Sequence, residues 1–141
     1  MLAPVARMEA SNGDARWLRV FGICFCLLAL SNCTKFIEAS PHQGFMLFGM
    51  RQHGLPNLIW GWIFGVYLAI YGIGVLRMRA YALPMGTAYA VYVVLNLILF
   101  TIRMSDEALA RPIFGIVYII VAVGVSSGAV VLLRRNRAAL T

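Results

Sequence analysis

Four long apolar stretches, residues 20–34, 55–76, 80–102 and 112–133, contain no Asp, Glu, Lys, Arg or His. Without a carboxylate inside them, the chain lacks the group on which small proton- and cation-coupled carriers rely. Without a histidine there, it lacks the axial ligands of a membrane b-type cytochrome. Cysteine is scarce too. Cys24, Cys26 and Cys33 form no Cys-x-x-Cys pair, so a quinone-linked thiol oxidoreductase is without its central motif. On a helix Cys26 and Cys33 would lie two turns apart, about 10 Å along the axis, beyond the roughly 7 Å that a disulfide spans between Cα atoms. They are read as small apolar packing residues. No Ser/His/Asp order, glycine-rich phosphate loop or zinc-spaced cluster occurs, and neither enzymatic activity nor a cofactor is expected.

What the sequence has is hydrophobicity. Of 141 residues, 62% are hydrophobic and 12% charged, and the mean hydropathy is +0.83, too apolar for a soluble domain of this size. A helix needs about 20 residues to cross about 30 Å of hydrocarbon. The last three stretches meet that length; the first is shorter, but Arg19 and Lys35 at its borders can lift their charges to the interface. The fold class that follows is an all-α integral membrane protein, with four transmembrane helices at about 18–36, 57–76, 82–102 and 112–133 in an antiparallel up-down bundle. Residues 17–137 form a single domain, with a flexible tail over 1–16, a short tail over 138–141 and an outer interfacial loop over 38–56.

The net charge of +7 resides in basic residues at helix ends and not in one tract, so no nucleic-acid partner is expected. With the N-terminus inside, the inner side holds Arg7, Arg16, Arg19, Arg77, Arg79, Arg134, Arg135 and Arg137, and the outer side holds Lys35, Arg51, Arg103 and Arg111. Eight against four places both termini in the cytoplasm. The expected location is a plasma (inner) membrane, with the lipid bilayer as the first partner. At the N-terminal quarter, an arginine-bearing lead, a short apolar core and Leu30-Ser31-Asn32-Cys33 resemble a bacterial lipoprotein signal. That resemblance implies lipidation of Cys33 and loss of what precedes it. Asn32 stands where the pattern has Gly, Ala or Ser, and the helix is expected to be retained.

Helices in lipid associate by close packing and hydrogen bonds, so small residues four apart mark contact faces. Such residues are Gly61, Gly65 and Ala69, then Ala82, Gly86 and Ala90, then Gly124 and Gly128. Trp60, Phe64, Tyr67 and Tyr71 share another face of the second span, about 120° from its glycines. Tyr89, Tyr92 and Asn96 put three polar tips on one face of the third. These should point inward and pair, with Ser31, Asn32, Ser126 or Ser127 as interhelical partners or with a quinone or lipid head group as ligand. Pro84 and Pro112 suit first helical turns, and Ser105 can cap a turn bearing Asp106 and Glu107.

The loop Pro41-His42-Gln43-Gly44 through Gly54-Leu55-Pro56 holds both histidines. His42, Met46, Met50 and His53, at gaps of four, four and three, would come to adjacent turns if helical, and thioether with imidazole suits copper. The competing expectation is an interfacial cap that dips Phe45, Leu47 and Phe48 into lipid. The function expected is that of a non-catalytic packing or accessory component of a membrane complex or homo-oligomer. The alternatives are an outward-facing metal-handling protein and a small oligomeric channel or uncoupled carrier.

Overall fold

The computed structural model describes residues 12–34, 45–103 and 112–141. Residues 1–11 of the tail expected over 1–16, the loop segment 35–44 with His42, and the Ser105, Asp106 and Glu107 turn lie outside the described residues. The described residues are mainly helical, in four helices: α1 (Asn12–Cys33), α2 (Gly54–Leu76), α3 (Ala82–Arg103) and α4 (Pro112–Arg135). A small antiparallel hairpin of β1 (Met46–Leu47) and β2 (Met50–Arg51) precedes α2, and a 3-10 turn, Arg137–Ala139, follows α4. By length and composition α2, α3 and Gly13–Cys33 of α1 are able to cross a membrane.

Two helix starts differ from expectation. α1 begins at Asn12, inside the segment expected to be a mobile tail, and Asp14 falls in its first turn, where a carboxylate suits the helix dipole. The Asp14 carboxylate also accepts a hydrogen bond from Asn136 Nδ2 at 2.9 Å, so a tertiary contact holds polar residues that carry no hydrophobic pattern. α2 begins at Gly54, before the expected 57, with Pro56 in the first turn, where its missing N–H costs nothing.

α1 and α2 meet closely and antiparallel. A Cβ on Gly65 would lie 2.5 Å from Cys33 Sγ and 3.1 Å from Ala29 O; one on Gly72 would lie 2.9 Å from Cys26 Sγ; one on Gly22 would lie 2.6 Å from Leu76 Cγ. Gly22, Cys26, Ala29 and Cys33 thus line the face of α1 that meets Gly65 and Gly72, which lets the two backbones approach. α2 and α3 are held apart by rings. Tyr71 is fully buried and reaches Gly86, where an added Cβ would stand 2.5 Å from the hydroxyl.

The α2–α3 turn closes α2 with a Schellman cap. Arg79 N–H donates to Gly74 O at 2.9 Å and Met78 N–H to Val75 O at 3.2 Å, with Met78 at φ +52 in the position usually given to glycine. The last residue covers this turn: Thr141 N–H donates to Met78 O and Ala80 N–H to Thr141 O. The start of α1, the α2–α3 turn and residues 136–141 therefore meet at one end of the molecule. The buried core, including Leu18, Phe25, Leu68, Tyr71, Val75, Ala82, Tyr89, Ala129 and Leu133, lies toward that end.

The outside is more aliphatic than the inside. Ile23, Leu27 and Leu30 of α1, Ile63, Val66, Ile70 and Ile73 of α2, Val91, Leu95, Ile98 and Ile102 of α3, and Ile116, Ile120 and Val121 of α4 are exposed. A soluble monomer does not present apolar surface around its whole girth.

Candidate functional site

At the other end, the hairpin lies across α2 and α3. Leu47 pairs with Met50 and Met46 with Arg51, and Gln52 N–H donates to Phe45 O at 2.8 Å. Phe48 and Gly49 make the two-residue loop with φ of +47 and +76, the positive values that a type I′ hairpin turn needs. Gly49 is required twice over. Its φ disfavours a side chain, and an added Cβ would collide with the backbone of Leu99 and Phe100.

Four helix side chains hold the hairpin by its backbone. Asn57 Oδ1 accepts from Phe45 N–H at 2.6 Å. Asn96 Oδ1 accepts from Gly49 N–H at 2.8 Å. The Tyr92 hydroxyl donates to Met46 O at 2.9 Å, and Arg103 Nη1 donates to Phe48 O at 3.2 Å. Tyr92 and Asn96 lie eleven and seven residues before the end of α3, roughly 16 and 10 Å down its axis. Non-helical backbone has no intrahelical partners, and each unsatisfied group away from water costs on the order of 1–3 kcal/mol. The two asparagines, the tyrosine and the arginine remove that penalty.

An aromatic cluster underlies the hairpin. Phe45, 4% exposed, packs edge-on to Phe64 at 5.1 Å between ring centroids. Phe64 continues to Tyr92 at 5.2 Å, Tyr89 at 5.9 Å and Tyr67 at 6.1 Å. Tyr89 meets Phe25 in a T-shaped pair at 5.6 Å and Tyr71 at 6.2 Å. The Tyr67 hydroxyl donates to Met85 O at 2.6 Å and ties α2 to α3. Phe64, Tyr67 and Tyr71 thus face inward, while Trp60, expected on the same face, is exposed.

Of the polar row, Tyr92 and Asn96 serve the hairpin, and Tyr89 joins the aromatic interior. Of the partners considered for them, Asn32 Nδ2 donates to Leu28 O and Ser126 Oγ to Ala122 O, each in its own helix. Of the four metal-ligand candidates, His42 is outside the described residues, Met46 is half-buried, and Met50 and His53 are exposed. The hairpin register sets Met46 and Met50 on opposite faces, so the four-four-three spacing does not become a stripe. Among the described residues no group of three or more His, Cys, Asp or Glu could hold a metal.

The small-residue candidates separate. Gly65 and Gly86 are packed as described, Gly61 is buried, and Ala69 and Ala90 are half-buried. Gly128 faces the Phe21 ring, at 3.2 Å from an added Cβ, whereas Gly124 has nothing described within 4 Å. Gly72, Asn57 and the hairpin glycine were missed by sequence reasoning, whereas Cys26 packs as the small residue it was read to be. Gly72 continues the Gly61, Gly65 and Leu68 face, a periodicity that could have found it; Asn57 carries no such signal. No protein-family model, curated protein or solved structure matches this chain.

Proposed function

We propose that the protein is a four-span membrane protein with both termini in the cytoplasm, acting without catalysis as a packing component of a homo-oligomer or larger complex in the plasma (inner) membrane. A fourth span is supported by α4, which runs 24 residues and carries no charge over 112–133. The inward orientation is supported by the arginines. Arg16, Arg19, Arg77, Arg79, Arg134, Arg135 and Arg137 gather at the end where α1 starts and α4 finishes, against Arg51 and Arg103 at the hairpin end, counting described residues.

The observation that carries the packing role is Gly124. It lies exposed on α4, and Val117, Ile120, Val121 and Val131, also exposed, share its face of the helix over about two turns to either side. A helical glycine costs about 1 kcal/mol against alanine, and lipid alone has no use for the missing methyl. A neighbouring helix does, because a glycine lets its backbone come close. The test is Gly124→Ile in protein extracted from native membranes with mild detergent. Wild type should run as an oligomer or with a copurifying partner, and the variant as a folded monomer. Wild-type protein running strictly as a lone monomer, with no partner recovered, overturns the proposal.

A further inference from the structure

The seven arginines at the α2–α3 turn end are all exposed, and the fold fixes them relative to one another. The contact of Gly22 with Leu76 sets Arg19, one turn before it, at the level of Arg77. The Asn136 to Asp14 hydrogen bond sets Arg16 beside the segment bearing Arg134, Arg135 and Arg137. The pairing of Thr141 with Met78 and Ala80 folds that segment back over Arg77 and Arg79. Three separate stretches of chain are joined in this way, so the guanidinium groups project from a built collar and not from loose tails. Asp14 is the one acidic residue among the described residues, and Asn136 engages it; none of the seven arginines forms an ion pair there.

Two further side chains fix the depth of this collar. Trp17, 60% exposed, and Tyr81, 43% exposed, sit among the arginines, and exposed Trp and Tyr at the end of an apolar helix mark the head-group level of a bilayer. The composition is also selective. Every basic group in the collar is arginine, whose planar guanidinium binds phosphate oxygens in bidentate fashion and is more weakly hydrated than an ammonium. We infer that the collar is a binding surface for the phosphate groups of anionic phospholipids, which hold the α2–α3 turn and the C-terminal segment together in the membrane. The inference rests on the spanning reading but not on which leaflet the collar faces.

The experiment uses the full chain in mild detergent, since extraction that needs detergent tests the spanning reading separately. Bound lipid is measured by native mass spectrometry, and thermal stability is followed on adding phosphatidylglycerol, phosphatidylcholine or inorganic phosphate. The expected result is retention of phosphatidylglycerol over phosphatidylcholine and a stabilisation by the former alone. Arg77→Gln and Arg79→Gln should each weaken retention about five-fold, while Arg51→Gln at the opposite end should not. Equal binding of the two lipids, retention unaffected by the collar variants, or an equal stabilisation by inorganic phosphate at matched concentration each overturns the lipid assignment.

Discussion

Gly65 and Gly124 occupy similar apolar helices and have opposite surroundings. Any side chain at Gly65 meets the Ala29 carbonyl and Cys33, whereas Gly124 is exposed with no described residue within 4 Å of an added Cβ. Gly65→Val should therefore destabilise the chain by about 1–3 kcal/mol, the usual cost of overpacking, read as a lower thermal midpoint in detergent. Gly124→Val should leave the monomer's midpoint unchanged. Asn96 illustrates the polar counterpart. Asn96→Leu removes the acceptor for Gly49 N–H and should cost about 1–2 kcal/mol, with faster hydrogen exchange across residues 45–52 and no change across α1. A uniform rise in exchange over all four helices would contradict the local role given to Asn96.

At the level of the element, the hairpin sits on two helices through its backbone and one buried ring. Phe45→Ala leaves a hole against Phe64 and should cost on the order of 2–3 kcal/mol. That is below the 3–5 kcal/mol seen for Phe→Ala in water-soluble cores, because the reference environment is lipid and not water. The helices were legible because a bilayer demands long apolar stretches, and those stretches predict the ends of α2 and α3 to within one residue of Leu76 and Arg103. The hairpin was not legible. Its strands are two residues each, too short for alternation to show, and its turn uses Phe-Gly where Asn-Gly or Asp-Gly is the usual signal. Its ties to α3 come from residues 46 to 55 positions away, which no local pattern encodes. Tyr92 and Asn96 stood out in the sequence as polar groups among apolar ones; what they hold did not. Of the copper candidates, Met46 and Met50 lie on opposite faces of the hairpin, while His42 lies outside the described residues. Protein purified without a histidine tag should retain no copper, and copper lost on changing His42 and His53 to Ala would contradict this.

For the whole molecule, the distribution of residue types is inverted relative to a soluble bundle. Phe25, Tyr71 and Tyr89 share the interior with a few leucines and small residues, large apolar side chains cover the exterior, and the described arginines stand at the two ends. With 23 residues, α2 is about 34 Å long, matched to a hydrocarbon core of about 30 Å. The proposed four-span reading requires an even number of crossings, with both termini on one side and the hairpin on the other. Thiol labelling with a membrane-impermeant reagent reads this directly. In a background with Cys24, Cys26 and Cys33 changed to Ala, single cysteines are placed by Gly13→Cys, Gln52→Cys and Ala138→Cys. In intact cells Gln52→Cys should be labelled, and Gly13→Cys and Ala138→Cys only after permeabilisation. Labelling of Gly13→Cys and Ala138→Cys from opposite sides would contradict the four-span architecture.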